Sequence, residues 1–298
     1  MIVARRLDVR RILHAVGPPL AALLAYDVVV TVFYVGYRQH WLGVDNLPLG
    51  LLGSALAIIV GLRNNSAYAR WWEARTLWGS AVNNSRSLAR GALAMLRGEA
   101  GAACTAALLH LQIAWAHALR LALWRQDPWD ELGRLLPPDV LARVRGAANL
   151  PTALQAEMGR LLAEAHRRGA LDEVRLAALD RTLCDLADAQ GGLERIKNTP
   201  LPRQFDHFPR VFVSAYCLLL PVGLVHDLGA MTPIGSTVIG FAFYVLDQIG
   251  RDLEDPFGGT VHDVPMAAIT RTIEVDLRQM LGEHGAPRPL TPADGVLC

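Results

Sequence analysis

Four apolar runs interrupt a chain that is otherwise polar or amphipathic. The first run, Ala15–Tyr37, contains a single charged residue, Asp27. At about 1.5 Å per residue, a helix of this length crosses the ~30 Å hydrocarbon core of a bilayer. The three other runs are shorter: Leu47–Leu62, Val211–Val225 and Pro233–Leu246. Runs this short also occur as buried helices of soluble proteins, so length alone leaves both interpretations open.

The order of the runs and the placement of arginines favour membrane spans. The runs come in pairs, joined by the short loops Arg38–Asn46 and His226–Thr232, so each pair can enter and leave by one face. Arginines flank the ends away from those loops: Arg5, Arg6, Arg10, Arg11, Arg63, Arg70, Arg203, Arg210 and Arg251. Because arginine is retained on the cytoplasmic side, we predict four transmembrane helices in the cell (inner) membrane, with both termini cytoplasmic.

The region between the two pairs has the pattern of a helical bundle. Apolar residues recur there at helical spacing, as in Leu108, Leu111, Trp115, Leu119 and Leu123, and prolines divide the region into segments. An alternating β pattern is missing throughout the sequence. The predicted fold is therefore all-α, a membrane protein with four transmembrane helices and a cytoplasmic helical bundle. The predicted segments are 1–62, 63–209, 210–250 and 251–298.

Composition agrees with a membrane protein and argues against several other classes. Hydrophobic residues make up 52% of the chain, and mean hydropathy is +0.25. A net charge of +1 argues against a nucleic-acid partner. The four cysteines form no Cys-x-x-Cys pair, so we predict neither a zinc site nor a disulfide framework. Motifs such as His-Glu-x-x-His, Gly-x-Ser-x-Gly and the P-loop are missing, so we expect no enzyme and no cofactor.

A polar and aromatic segment follows the second apolar run directly. Residues 63–79 read Arg-Asn-Asn-x-x-Tyr-x-Arg-Trp-Trp-Glu-x-Arg-x-x-Trp-Gly, and no Pro or Gly interrupts Leu62–Trp78. From physics alone this is an interfacial belt, since Trp, Tyr and Arg concentrate at headgroup depth. The segment also closely resembles the signature of prokaryotic bestrophins. Two further matches, Glu194–Pro202 and Leu253–Gly258, follow in family order, so the resemblance extends over nearly the whole chain.

The resemblance implies a homopentameric ion channel whose single pore is lined by the second membrane helix. Its narrow hydrophobic neck aligns with Ser54, Ile58 and Leu62, which share one helical face at spacing i, i+4, i+8. Apolar rings can dewet a pore and gate it. Ser54 departs from the family's apolar pattern and should leave the outer end wetter. The signature residues would hold the junction between membrane and cytoplasm: Arg63, Asn64, Asn65, Tyr68, Arg70, Trp71, Trp72, Glu73 and Trp78.

A second constriction, at the cytosolic exit, aligns with Val174 on a helix predicted at Asp172–Gln190. The acids Asp172 and Glu173 stand beside it. Acids in a first helical turn are ordinary partners of the helix dipole. In a pentamer they would also form negative rings, which favour cations. Chloride is the ion implied by the family, and cation conduction is the alternative.

The resemblance also raises the question of calcium. Animal bestrophins follow the third motif with a run of acids that helps to hold Ca²⁺, and only Asp263 remains of that run here. Ca²⁺ prefers six to eight oxygen ligands. We therefore expect at most a weak cation site at Asp252, Asp255 and Asp263, and no tight metal site.

Two other hypotheses remain open at this point. The first is a membrane scaffold that does not conduct and whose cytoplasmic bundle binds a partner. The second is a coupled transporter that uses Asp27, because an ionisable residue at membrane depth is costly and suggests a polar partner or a water path. A hydroxyl group or an arginine from a neighbouring helix would equally satisfy this carboxylate. The expected partners of a channel are small permeant ions, the lipid bilayer and further copies of the chain.

Overall fold

The computed structural model describes residues 1–2, 9–44, 46–293 and 295–297, with side chains left undescribed at 9–12. Arg5, Arg6, Cys298 and the side chains of Arg10 and Arg11 therefore lie outside the described residues. The described part is helical and contains isolated β-bridges but no strand, which confirms the all-α prediction. Ten α-helices are described: α1 Val9–Thr31, α2 Leu49–Met95, α3 Gly98–Trp124, α4 Trp129–Leu132, α5 Pro138–Val144, α6 Leu150–Arg167, α7 Glu173–Asn198, α8 Arg203–Leu228, α9 Thr232–Glu254 and α10 Met266–Met280.

The helices divide into two compact units. The membrane unit comprises residues 4–71 and 200–255, and the bundle unit comprises 1–3, 72–199 and 256–298. The long helix α2 contributes its first part to the membrane unit and the remainder to the bundle unit. The predicted boundaries at 62, 209 and 250 fall near the borders of these units and remain predictions.

The membrane unit is built from α1, the first part of α2, α8 and α9. Their shared core contains Leu23, Leu56, Val60, Val213 and Leu220, with Tyr216 and Cys217 beside them. The hydroxyl of Tyr216 donates to the carbonyl of Leu49 at 3.2 Å and so fixes the start of α2. Both pairs of predicted spans are thus present as helices, α1 with α2 and α8 with α9.

Three helical stretches of the described chain are long and apolar enough to cross a membrane: Leu13–Gly36, Gly98–Trp124 and Arg203–Glu254. The third contains both α8 and α9. The second is α3, whose apolar residues are mostly buried inside the bundle unit, so protein rather than lipid covers its apolar surface. The start of α2 is not among these stretches, and its place in the membrane unit follows from the packing of Leu56 and Val60 against α8.

The bundle unit surrounds α3. This helix packs against α6 and α10, and α6 packs against α7. Trp115 is fully buried at the centre, where its indole N–H donates to Gln190 Oε1 at 2.9 Å. The buried apolar pattern of α3 matches the helical spacing read from Leu108 to Leu123.

The predicted helix Asp172–Gln190 is wrong at its carboxyl end. The helix α7 begins at Glu173, with Asp172 as its N-cap, and continues through Gly191 and Gly192 to Asn198. A side chain at Gly192 would lie 2.7 Å from Leu77 Cδ1. Glycine there permits close packing against α2, and the two glycines do not end the helix.

Candidate functional site

One face of α2 in the membrane unit is exposed, and the predicted neck residues lie on it. Ile58 is 64% exposed and Leu62 is 62% exposed, and Ser54 is exposed one turn earlier. The opposite face is buried against the unit's core and contains Leu56, Val60, Arg63 and Ala67. The helix therefore presents an apolar stripe that none of the described residues of its own chain covers.

Ser54 satisfies its hydroxyl within its own helix. Its Oγ donates to the carbonyl of Gly50 at 2.7 Å. The hydroxyl hydrogen is therefore engaged, and the oxygen keeps only acceptor capacity toward the exposed side.

Arg63, the first signature residue, lies at the centre of a buried ion-pair network in the membrane unit. Arg63 and Asp247 are 3% and 2% exposed, and Nη1 of Arg63 lies 2.6 Å from Asp247 Oδ1. Arg251 approaches the other carboxylate oxygen at 3.1 Å, and Asp206 lies 3.7 Å from Arg63. A charge this deeply buried must be paired, so this network joins α2 to α9 and α8.

The two acids of this network were not identified from the sequence. Asp247 follows directly after the apolar run Pro233–Leu246, and its spacing from Arg63 along the chain is 184 residues. The available signal was an acid at the end of an apolar run, which needs a basic partner at that depth.

The aromatic signature residues have different environments. Trp78 is fully buried in the bundle unit, whereas Trp72 and Tyr68 are exposed. The rings of Tyr68 and Trp71 stack with their centroids 6.5 Å apart. Exposed aromatic rings of this kind are common at membrane interfaces.

The bundle unit brings parts of all three motifs together. Glu73 of the first motif forms an ion pair with Arg195 of the second. Lys197, also of the second motif, donates to the carbonyl of Phe257 in the third at 3.2 Å, and the Phe257 side chain is buried. The motifs therefore share a structural role at the point where α7 and the segment after α9 meet α2.

The predicted exit residues lie at the start of α7. Val174 is 81% exposed, and Glu173 beside it is exposed as well. The carboxylate of Asp172 accepts from the backbone N–H of Arg175 at 2.9 Å and pairs with the Arg175 side chain at 3.4 Å. Asp172 thus has a partner within its own helical turn, whereas Glu173 has no ion pair to the described residues.

The acids proposed as a weak cation site are engaged with the protein. Asp263 is 4% exposed and accepts from Gly259 N at 2.6 Å and from the hydroxyl of Thr260. Asp252 accepts from Gln248 Nε2 at 2.7 Å, and Asp255 follows the end of α9. Within the described residues, no group of three or more His, Cys, Asp or Glu side chains could hold a metal ion. The site at Asp252, Asp255 and Asp263 stays a prediction.

Asp27 is fully buried in the membrane unit and is satisfied by hydroxyl groups. Ser236 and Thr237 of α9 each donate to one of its carboxylate oxygens at 3.0 Å. Of the partners considered from the sequence, hydroxyl groups are those found. The contacts tie α1 to α9.

A second buried titratable group lies in the bundle unit. His117 of α3 is 3% exposed; its Nδ1 hydrogen-bonds Glu131, and its Nε2 lies 3.4 Å from Glu274 of α10. Burial lowers the pKa of His117, but the hydrogen bond to Glu131 and the carboxylate of Glu274 raise it further, so the net pKa is above the ordinary value. His117 therefore links α4 and α10 to α3 most strongly when it is protonated.

Comparison with known proteins places this geometry in context. Residues 5–279 match the family model described as Bacterial/Fungal Bestrophin protein. The chain is 35% identical over 273 residues to a voltage-dependent anion channel-forming protein of Ralstonia nicotianae, covering 90% of this chain and 89% of that protein. It is 39% identical over 266 residues to the voltage-dependent anion channel-forming protein YneE of Salmonella typhi, covering 89% and 86%. Among solved structures, a bacterial bestrophin homologue from Klebsiella pneumoniae superimposes with a TM-score of 0.84 at 32% identity, covering 89% of this chain and 98% of that one.

Proposed function

This chain belongs to the bestrophin family, and from that membership we propose that it forms an anion channel in the cell membrane. In this proposal five copies surround one axis, α2 of each copy lines the pore, and both termini are cytoplasmic. Chloride is the physiological candidate, because the relatives are named as anion channel-forming proteins. The family is one of channels rather than enzymes.

The observation that carries the proposal is the uncovered apolar stripe of α2. In a single chain, Ile58 and Leu62 would expose apolar surface on the same helix whose other face holds the buried Arg63 network. Facing an axis shared with other copies explains this arrangement, because rings of Ile and Leu form a narrow passage that water enters reluctantly. The polar side chain of Ser54 would keep the outer end of that neck hydrated.

The proposed exit is formed by Val174, with the acids Asp172 and Glu173 beside it. Asp172 pairs with Arg175, whereas Glu173 has no ion pair to the described residues. Five such charges favour cations, so cation conduction is a second candidate that rests on Glu173. The named anion channel relatives favour the first candidate.

Liposomes containing the purified protein test the function directly. We expect ion flux that is insensitive to a proton gradient. In asymmetric NaCl, the reversal potential should lie near the equilibrium potential of chloride. Changing both Ile58 and Leu62 to Ala should raise the conductance, because smaller rings keep the neck wet. Ile234→Ala is the matched control, since Ile234 on α9 is also 64% exposed, and this change should leave the conductance as it was.

Each alternative has its own outcome in the same assay. Flux absent at every voltage would support the non-conducting scaffold and overturn the channel. Flux coupled to protons, and lost in Asp27→Asn, would support the transporter. A reversal potential near the equilibrium potential of sodium, which moves toward zero in Glu173→Gln, would support the cation channel. Unchanged conductance in the variant with both Ile58 and Leu62 changed to Ala would contradict the assignment of the neck to these residues of α2.

A further inference from the structure

Two adjacent asparagines of the signature have opposite environments. Asn64 is half-buried; its Nδ2 donates to the carbonyl of Leu246 at 2.8 Å, and its Oδ1 accepts from Arg63 Nη2 at 3.2 Å. Asn65 is exposed, and its side-chain amide makes no hydrogen bond to the described residues. Asn64 is thus part of the contact between α2 and α9, whereas Asn65 has an amide with free donors and acceptors.

Helical geometry places Asn65 on the neck stripe. With about 100° between successive residues, Asn65 falls between the directions of Ser54 and Ile58, about 20° from each. It follows Leu62 on the same side of the helix by about one turn. The exposed side of α2 therefore presents Ser54, the apolar side chains of Ile58 and Leu62, and then the amide of Asn65.

The wall of this stripe offers anions the amide N–H groups of Asn65, and it offers cations neutral oxygens but no carboxylate. The segment Leu49–Trp72 of α2 contains two arginines and no acidic residue. An ion that loses water between apolar rings regains stabilisation from the first polar groups it meets beyond them. An amide N–H can replace part of the lost hydration of an anion.

We propose that Asn65 is a specificity-determining residue of the channel, forming a ring of amide donors for small monovalent anions at the inner end of the neck. This inference rests on the proposed function, since it requires α2 to line the pore. Asn64 stabilises the helix contact and takes no part in selection. Of the two adjacent asparagines, Asn64 thus has a structural role and Asn65 contacts the ion.

Selectivity measurements on two nearly isosteric variants test the assignment. In asymmetric NaCl across liposomes, Asn65→Leu should lower the chloride-to-sodium permeability ratio about fivefold, which corresponds to about 1 kcal/mol, the net contribution of one typical hydrogen bond. Asn65→Asp should lower it further and move the reversal potential toward sodium, because a ring of carboxylates favours cations. Neither change should alter the thermal stability much, because the exposed side chain has no hydrogen bond to the described residues to lose.

The neighbouring asparagine supplies the control. Asn64→Ala should lower the melting temperature and leave the permeability ratio of the surviving channels unchanged. A chloride-to-sodium permeability ratio that stays constant in both Asn65 variants would overturn the role of Asn65. If the Ile58 and Leu62 variants still raised the conductance, the proposal that α2 lines the pore would stand. Absence of flux in the unmodified protein would instead overturn the proposed function itself.

Discussion

The backbone of α9 at Gly250 leaves no room for a side chain. A Cβ atom there would lie 2.8 Å from Arg63 Nε and closer still to Asn64 Oδ1. Both atoms belong to the buried network that joins α2 to α9, so they cannot move aside without disturbing the pairing of Arg63 with Asp247. At Gly61 of α2, in contrast, a Cβ would meet nothing within 4 Å.

We therefore predict that Gly250→Ala destabilises the protein by about 1–3 kcal/mol, the usual cost of overpacking. Gly61→Ala should be neutral or stabilising, by up to about 1 kcal/mol, because alanine is the better helix former. Thermal unfolding of the purified protein in detergent measures both. Equal melting temperatures for the two variants would mean that the close approach at Gly250 is not maintained in solution.

Single residues also show what the sequence can and cannot reveal. The spacing of Ser54, Ile58 and Leu62 predicts a common face, and the structure has them exposed on one side of α2. The partner of Arg63 could not be found in this way, because pairing across 184 residues depends on which helices pack together. Periodicity describes a helix face but does not identify the helix that covers it.

At the scale of elements, α10 is held to α3 through a titratable contact. His117 of α3 lies between Glu131 of α4 and Glu274 of α10, and Arg120, Arg271 and Arg278 pair with those carboxylates. Since folding raises the pKa of His117, its contribution is complete below the ordinary value of about 6.5. The contribution is lost as the pH rises through the raised pKa of the folded state.

We predict that His117→Gln removes this pH dependence. In the unmodified protein the melting temperature should fall between about pH 6.5 and the raised pKa, since the unfolded state binds fewer protons there. The variant should show a flatter profile over that range. His284→Gln, at an exposed site after α10, serves as the control and should retain the original slope. Identical profiles for all three proteins would exclude His117 as the titrating contact.

Helix ends illustrate why element boundaries were harder to predict than the elements. The end of α7 before Gly191 was predicted from the family resemblance, and glycine is common just after a helix end. The helix continues because Gly192 fits against Leu77 of α2, a contact between residues 115 positions apart in sequence. Tertiary packing overrides the local preference, and it could not be inferred from the local sequence.

At the scale of the whole molecule, the membrane unit exposes more apolar surface than a monomer in water could maintain. Large apolar side chains are exposed on all four of its helices: Val29, Leu51, Leu218 and Ile234 are each more than half exposed. Lipid covers such surface on the outside of a membrane protein. The stripe with Ile58 and Leu62 is followed on the same side of α2 by the exposed polar residue Asn65, which lipid tails would not solvate.

We predict that the protein purified in mild detergent is an assembly of five chains. Its protein mass, measured by light scattering with the detergent contribution subtracted, should be five times the 32.5 kDa of one chain. Ile58→Ala combined with Leu62→Ala should leave this mass unchanged, because the stripe faces the axis and not the neighbouring chain. A monomeric mass for active protein would contradict the axial pore. The sequence alone could not give the number of chains, which depends on angles between surfaces.

The uninterrupted length of α2 has a consequence for how such a pore opens. Prolines lie inside α1 and α8, at Pro18, Pro19, Pro209 and Pro221, but α2 continues from Leu49 to Met95 without one. Proline is therefore not a cause of bending beside Ile58 and Leu62, and the nearest site at which α2 could kink is the pair Gly53-Ser54. In the proposed channel we expect the rotation of side chains and the entry of water to control passage, and side-chain rotation is fast. We expect brief and frequent openings, because filling and emptying of the neck by water requires no large movement of the helix.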